Sequence, residues 1–269
     1  MYDLNGRGIA AIALIIGIVV GFSIGWFAPA LLPPAPAPSL VAQIQARGSL
    51  YVGTSSDWPP FEIYNTTTDQ YEGFDIDLCE MIAAHLGVTV TWFDMDFDAL
   101  PAACIAGTID MIAAAMFVTP ERAEQLAHSV PYIRTNQVVV VKGNSTLTIT
   151  DLEDLEGYTV GVQSGTVEDL DLTDLVDAGV GINLVRYARA DIMLADLEAG
   201  GLDATYVDEP VFTVYSGIYF LKTIYTYPAP PTALFCRWEN PDLLQEINIV
   251  ILNAFADGTM DALIAQWFG

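Results

Sequence analysis

The chain has 269 residues, 53% of them hydrophobic, and its 34 acidic and 9 basic residues give a formal net charge of −25. This charge excludes nucleic acid as a partner, because nucleic-acid binding depends on Lys and Arg that neutralise phosphates. The apolar fraction excludes a disordered chain, and the length fits one large domain or two ordinary ones. An acidic, lysine-poor surface suits high salt or an acidic exterior, and the sequence leaves both habitats open.

Near the N-terminus, residues 9–28 form a long stretch without charged side chains. Twenty helical residues span about 30 Å, the hydrocarbon thickness of a bilayer, and the apolar region of a cleaved signal peptide is only roughly 7–15 residues long. We therefore predict an uncleaved membrane anchor in residues 1–28. The alternative is cleavage near Ala28, which would give a secreted protein. Arg7 lies just before the stretch, so the positive-inside rule predicts an internal N-terminus and an extracellular body.

Residues 29–43 are predicted to form a linker, because five of the ten residues at 29–38 are proline and favour a semi-rigid spacer. From residue 44 onward, strand patterns alternate with helical patterns. Strands are predicted at 49–54, 88–93, 109–116, 136–142, 158–163, 182–187 and 203–207. Helices are predicted at 75–87 with Asp75 as N-cap, at 98–106, from 119 onward, near 166–178, near 190–199 and over most of 241–268.

This alternation predicts an α/β protein with mainly parallel sheets. Two such blocks indicate two lobes, and a cleft between lobes is a preferred place for a small ligand. The sequence lacks the G-x-S-x-G and H-E-x-x-H motifs and the phosphate-binding glycine loops of common enzymes. Its three cysteines are widely spaced, with no metal-ligand pattern. We therefore expect no enzymatic activity, no cofactor and no metal.

Three stretches carry candidate binding groups. GTSSDWPPFE (53–62) places Trp58 and Phe61 on a proline-stiffened loop, where aromatic rings either stack on a ligand or pack into the core. QSGTVEDL (163–170) runs from a glycine turn into a helix start, where N–H groups either hold an anion or only form an ordinary turn. VDEP (207–210) places two acids after an apolar strand, either in a cleft or in a solvated loop.

A fourth stretch, AAAMFVTPERAEQL (113–126), contains an arginine in an unusual place. Thr119 is typical of a helix N-cap, and Pro120 is typical of the first helical position. Arg122 then lies in the first turn, where the helix dipole disfavours a cation. Because the chain has few cations, this placement indicates a function other than stabilising the helix.

In their order and spacing, these stretches resemble the extracytoplasmic solute-binding proteins, family 3, of polar amino acid ABC transporters. The resemblance runs from about residue 44 to the C-terminus. It rests on the motifs VGTSSDWPPFE, YEGFDIDLCEMIAAHLGV, FDALPAACIAGTIDMIAAAMFVTPERAEQL, SVPYI, GYTVGVQSGT, LDATYVDEP and ADGTMDALIAQWFG. It implies an α/β, two-lobed type II periplasmic-binding-protein fold with a ligand cleft, preceded here by the predicted N-terminal transmembrane helix.

The resemblance also implies how the chain divides between the lobes. Lobe 1 is expected at 44–134 plus 231–269, and lobe 2 at 135–230. The chain is expected to cross between them twice, near 133–137 and near 227–232.

The resemblance implies roles for the residues that contact the backbone groups of an amino acid ligand. Arg122 is expected to grip the α-carboxylate, because a guanidinium binds carboxylate bidentately and keeps its charge. Gly165 and Thr166 are expected to add donors to the same carboxylate. Asp208 is expected to pair with the α-ammonium group, and Ala115 to offer it a backbone carbonyl.

Further residues are expected around the ligand's side chain. Trp58 and Phe97 are expected to sandwich it, and Ser55 and Asp75 to lie near the side-chain pocket. Phe117 stands where the family usually has Ser or Thr, so it cannot donate a hydroxyl and either forms an apolar wall or turns into the lobe. The acid often found at the position of Ser55 is absent, which together with the aromatic rings favours a neutral or partly apolar ligand.

The resemblance implies a monomeric extracellular receptor that captures an amino acid by hinge closure and delivers it to an ABC permease, held to the membrane by residues 9–28. Two alternatives remain. One is a ligand-sensing receptor domain that signals through the anchor. The other is an enzyme similar to cyclohexadienyl dehydratases, with Asp208 or Glu209 as general acid.

Overall fold

The computed structural model describes residues 38–269, of which Ser39–Gly269 form one compact unit. The predicted anchor at 9–28 and most of the predicted linker lie outside the described residues. Within 38–269, no single helix is long and apolar enough to cross a membrane. The helices Pro241–Asp257 and Thr259–Phe268 meet those criteria only as a pair bent by 86°, and their buried residues belong to the core.

Strands and helices follow one another along the described chain. The strands are β1 Ser49–Thr54, β2 Asp57–Trp58, β3 Glu62–Asn65, β4 Gln70–Glu72, β5 Thr89–Asp94, β6 Met111–Ile112, β7 Ala127–His128, β8 Asn136–Lys142, β9 Thr159–Gln163, β10 Asn183–Tyr187, β11 Ala204–Asp208, β12 Leu221–Pro228 and β13 Phe235–Cys236. The helices are α1 Leu40–Arg47, α2 Phe74–Leu86, α3 Leu100–Ile105, α4 Pro120–Gln125, α5 Val167–Asp177, α6 Ala190–Ala199, α7 Glu209–Ser216, α8 Pro241–Asp257 and α9 Thr259–Phe268. Short 3-10 helices lie at Phe97–Ala99 and Leu152–Leu155.

Two five-stranded sheets organise the fold. The first has the order β5-β1-β6-β13-β7, in which β1 pairs in parallel with β5 and β6, and β13 is antiparallel to both of its neighbours. The second has the order β10-β9-β11-β8-β12, in which β9 pairs in parallel with β10 and β11, and β8 is antiparallel to its neighbours. A small antiparallel sheet, β2-β3-β4, adjoins the loop that follows β1.

The chain passes between the two large sheets twice. Residues 49–128 contribute four strands to the first sheet, residues 136–228 contribute every strand of the second, and β13 then returns to the first. This arrangement is the two-lobed α/β plan that the sequence predicted. It also brings the ends of β1, β9 and β11 toward one cleft, since the loops that follow them share the lining of one cavity.

Most predicted strands and helices are confirmed, but the length of one strand and the N-cap of one helix differ. The strand predicted at 109–116 is only Met111–Ile112, because the backbone then turns: Ala115 has a φ of 48°, a left-handed conformation that is strained for alanine. Asp75 is not the N-cap of α2. Gly73 takes that position with a φ of 142°, where a Cβ would lie 2.1 Å from the carbonyl oxygen of Phe61.

Asp75 has another task in the structure. Its side chain is fully buried, where it accepts hydrogen bonds from the backbone N–H of Ala115 (2.9 Å) and the hydroxyl of Tyr132 (2.7 Å). Burial raises the pKa of this carboxyl group to about 6, although both hydrogen bonds act in the opposite direction. The hydrogen bond that Asp75 accepts from Ala115 therefore stabilises the turn at this residue.

All three cysteines lie in the described chain as buried free thiols. Burial raises the pKa of each thiol, which keeps them in the unreactive protonated form.

Candidate functional site

One cavity lies between the ends of the strands from the two sheets. The empty space between these strand ends, including its opening to solvent, is about 250 Å³. It is lined by Trp58, Phe97, Ala114, Ala115, Phe117, Arg122, Gln163, Thr166, Val167, Glu168 and Asp208. Open α/β sheets bind ligands at the carboxyl ends of their strands, and Gln163 and Asp208 are the last residues of β9 and β11.

Arg122 reaches the cavity from the beginning of α4. Thr119 caps this helix, since its hydroxyl accepts a hydrogen bond from the backbone N–H of Arg122 (3.3 Å), and Pro120 is the first helical residue. The guanidinium donates from Nη1 to the carbonyl of Phe117 (2.7 Å) and from Nη2 to the carbonyl of Gly165 (3.0 Å). Burial lowers its pKa to about 10, against nearby carboxylates that raise it. It therefore stays a cation at neutral pH.

Asp208 faces the cavity from the end of β11. It stands at the N-cap position of α7, yet its side chain makes no capping hydrogen bond. Instead Oδ2 accepts from the indole Nε1 of Trp58 at 2.9 Å, and Oδ1 has no hydrogen-bond partner in the structure. Burial, and then the charge of Glu168, raise the pKa of this carboxyl group well above its ordinary value. The side chain is thus directed into the cavity.

The glycine turn after β9 leads directly into α5. Gly165 has a φ of 77°, and a Cβ there would lie 2.8 Å from the Cβ of Asp98. Thr166 caps α5 by accepting from the backbone N–H of Asp169 (3.2 Å), and its hydroxyl donates to the carbonyl of Gln163 (2.8 Å). The hydroxyl is therefore committed to the turn. Helix geometry leaves the next N–H groups, of Val167 and Glu168, without intrahelical acceptors, and both residues line the cavity.

Aromatic rings form the apolar part of the wall. Trp58, Phe97 and Phe117 all line the cavity and are nearly buried. Phe117 packs with Val167 and Ala229, and its side chain lies at the cavity. Phe61, in contrast, is fully buried and packs edge-on against the ring of Phe74. The first loop thus divides its aromatics between cavity and core.

Three predicted site residues are not among those that line the cavity. Asp75 is buried and accepts a hydrogen bond from the backbone N–H of Ala115, as described above. Ser55 is buried, and its hydroxyl donates to Oδ1 of Asp57 at 2.8 Å. Gly165 contributes only the carbonyl that Arg122 binds.

Four residues that line the cavity were not predicted from the sequence. They are Ala114, Gln163, Val167 and Glu168. The position of Glu168, two residues after an N-cap, was a usable signal, since a first-turn side chain at such a turn lies close to any group held by the helix N-terminus.

Several hydrogen bonds join the two lobes across the cleft. Besides the bonds from Trp58 to Asp208 and from Arg122 to Gly165, the carboxylate of Asp57 accepts from the backbone N–H of Ala190 and from Nε2 of Gln163 (3.1 Å). Ala190 begins α6, whose N-cap residue, Arg189, offers no capping side chain. Asp57 of one lobe therefore caps a helix of the other, and the cleft is closed in this structure.

The described residues contain no group of three or more His, Cys, Asp or Glu side chains placed to hold a metal ion. The polar side-chain groups of the lining residues are one guanidinium, two carboxyl groups, an amide, the hydroxyl of Thr166 and the indole N–H of Trp58. This set is suited to binding a small charged molecule through hydrogen bonds.

Comparisons with known proteins agree with this arrangement. The L-cystine-binding protein TcyJ of Escherichia coli (strain K12) is 30% identical over 271 residues, covering 97% of this chain and 94% of that protein. Among solved structures, a mutant of ArgBP from T. maritima superposes with a TM-score of 0.81 at 34% identity, covering 85% of this chain and 98% of that chain. The ancestral amino acid-binding protein AncCDT-1, a precursor of cyclohexadienyl dehydratase, superposes with a TM-score of 0.80 at 29% identity, covering 86% and 100%.

These superpositions establish the two-lobed fold of periplasmic binding proteins. The family described as bacterial extracellular solute-binding proteins, family 3, matches residues 50–269, which include both sheets and every residue of the cavity. This chain belongs to the bacterial extracellular solute-binding proteins, family 3.

Proposed function

We propose that the protein captures an amino acid between its lobes and delivers it to the permease of an ABC transporter. One observation carries the proposal: a guanidinium, Arg122, and a carboxyl group, Asp208, face the same small cavity from different lobes. Such a pair complements the two charges of an amino acid. Relatives whose names state a ligand support this class, since they are cystine-binding and arginine-binding proteins.

The proposed pose follows from the donors and acceptors around the cavity. The α-carboxylate lies against Arg122 and the N-terminal N–H groups of α5, which favour an anion. The α-ammonium group lies against Asp208 and the carbonyl of Ala115. Trp58 and Phe97 hold the ligand from either side. In this pose the ligand's α-carboxylate takes the place of the two backbone carbonyls as the acceptor of the hydrogen bonds that Arg122 donates.

We propose that the lobes open and close as units around two crossings, near 133–137 and 227–232. The lobe boundaries are then 44–134 plus 231–269 for the first and 135–230 for the second, which follow the division of strands between the sheets. A ligand that contacts both lobes favours the closed state, because it binds that state with more contacts than the open one. We also propose that residues 9–28 anchor a monomer to the membrane, with the binding domain outside.

The protein is proposed to bind its ligand without turning it over. The enzyme alternative has one relative in its favour, the dehydratase precursor AncCDT-1. Of its two candidate acids, Glu209 is not among the residues that line the cavity and instead accepts a hydrogen bond from Asn136 (2.8 Å). Asp208 is engaged by Trp58. Conversion of prephenate or arogenate by the purified protein would favour the enzyme.

Isothermal titration calorimetry of the full chain with the standard L-amino acids and L-cystine tests the proposal. We expect saturable binding of at least one of them in a 1:1 ratio. If no amino acid and no other small carboxylate binds, the proposed function is wrong.

A further inference from the structure

The carboxyl groups that line the cavity outnumber its cations. Glu168 and Asp208 both line it, with only 1% and 2% of their surfaces exposed. Among the lining residues, Arg122 is the only cation. The single guanidinium can compensate only one of the two carboxylates, so without a ligand the other would remain uncompensated. A buried uncompensated charge is strongly unfavourable.

Each of these carboxyl groups has an oxygen that lacks a partner. Neither Oε1 of Glu168 nor Oδ1 of Asp208 makes a hydrogen bond in the structure. The other oxygen of Asp208 is already engaged by the indole of Trp58. Two carboxylates cannot donate to each other, but a single proton carried by one of them would supply the missing hydrogen bond.

The two groups also interact directly. After burial, the charge of Glu168 and a side-chain hydrogen bond to Glu168 both raise the pKa of Asp208. Adjacent buried carboxylates commonly retain one proton between them, because like charges at short distance do not both ionise. The arrangement therefore favours a protonated Asp208 that donates to Glu168.

We propose that Glu168 is a second carboxylate of the ammonium-binding site and shares one proton with Asp208, and that a ligand ammonium group displaces this proton into solvent. In the step, the O–H bond of Asp208 breaks, the proton passes to water, and ammonium N–H groups donate to both carboxylates. The inference rests on the proposed function, because it requires a ligand with an ammonium group.

Other titratable groups act on the same pair from the elements around it. They are Arg122 on α4, Glu62 on β3, Asp171 on α5 and Tyr206 on β11. Arg122 favours ionised carboxylates, whereas the acids favour retention of the proton. Tyr206 stays neutral, since burial raises its pKa.

The proposal sets the sign of the pH dependence. Below the raised pKa of Asp208 the ligand must expel a proton, so affinity should increase about tenfold per pH unit. Above that pKa the affinity should level off. In Glu168→Gln the amide donates to Asp208 and the second acid is absent. The pKa of Asp208 is then lower, with burial still raising it, so the affinity should level off at a lower pH than in the unmodified chain.

The test is calorimetric titration of the full chain with the L-amino acid that binds it most tightly in the panel above. Titrations in buffers of different ionisation enthalpy, from about pH 5 to about pH 8, give the number of protons released. We expect about one proton from the unmodified chain and fewer from Glu168→Gln at the same pH. Glu121→Gln is the matched control, since Glu121 is an exposed acid beside Arg122 on α4, and it should behave like the unmodified chain.

Amino acid binding without proton release at any pH, or with equal release in Glu168→Gln, overturns the inference while leaving the proposed function intact. Absence of binding by every amino acid overturns the proposed function itself. If Glu168→Gln does not fold, carboxyl carbon NMR of the unmodified, ligand-free chain decides. The Asp208 carboxyl should remain protonated at a pH where the exposed acids are ionised. Titration of Asp208 over the same pH range as the exposed acids would overturn the inference.

Discussion

Arg122 shows how a residue that is unfavourable for local structure can indicate function. It begins a helix of only six residues, where the helix dipole disfavours a cation. The carboxylate of Glu168 compensates, because its charge raises the pKa of the guanidinium against the effect of burial. A group of the other lobe therefore favours the charged form of the arginine at the cavity.

We expect Arg122→Ala to lose ligand binding while the fold remains intact. Removing one partner of a desolvated charge pair costs about 2–5 kcal/mol, so affinity should fall by about 30-fold or more. Calorimetry measures the affinity, and circular dichroism checks the fold. Arg122→Lys is the matched variant: it keeps the charge but loses the planar pair of donors, so its affinity should lie between the two. Unchanged affinity in Arg122→Ala would remove this residue from the site.

The sequence indicated the charged ends of the site but not all of its wall. Arg122 and Asp208 were recognisable because motif and position in the chain place them next to a helix start and a strand end. Glu168 was missed because its inward direction depends on the turn at Gly165. Gln163 was missed because its amide bonds to Asp57, a residue 106 positions away, and such contacts are not visible in local patterns.

At the scale of elements, the alternation of strand and helix patterns was reliable. The strands at 49–54 and 136–142 and the helix at 190–199 begin and end as predicted. The strand at 109–116 was predicted too long, since its run of alanines has apolar character suited to a buried strand. What ends it is the bond between Asp75 and the N–H of Ala115, a tertiary contact that overrides the local preference.

A second element-scale feature is the cap that Asp57 places on α6 across the cleft. This bond exists only when the lobes are together, because Asp57 follows β1 and α6 belongs to the second sheet's lobe. Burial raises the pKa of the Asp57 carboxyl, whereas the N–H of Ala190 lowers it. Closure of the cleft therefore allows a carboxylate of one lobe to cap a helix of the other lobe.

We expect Asp57→Ala to favour the open form. Loss of an N-cap costs about 0.5–2 kcal/mol, so ligand affinity should fall by about 2- to 30-fold, and the radius of gyration of the ligand-free chain should increase. Calorimetry and small-angle X-ray scattering measure these effects. Asp96→Ala is the control, since Asp96 is exposed and its side chain makes no capping bond. Equal compactness and affinity in all three proteins would show that this cap does not contribute to closure.

At the scale of the whole molecule, the described chain consists of two sheets that present opposite charges to one cavity. Arg122 belongs to the part of the chain that forms the first sheet, and Asp208 ends a strand of the second. Neither lobe alone holds both charges, so the proposed recognition of a zwitterion depends on closure. The family assignment and the two-lobed fold followed from ordered motifs, whereas the closed contacts became visible only in three dimensions.

The most direct test of this account is to separate the two charges of the ligand. The full chain is titrated calorimetrically with its tightest-binding L-amino acid, with the amine that lacks the carboxylate and with the acid that lacks the ammonium group. Each analogue leaves one buried charge of the cavity unpaired, so both should bind about 30-fold or more weakly than the amino acid. Equal affinity for either analogue would contradict recognition of a zwitterion between Arg122 and Asp208.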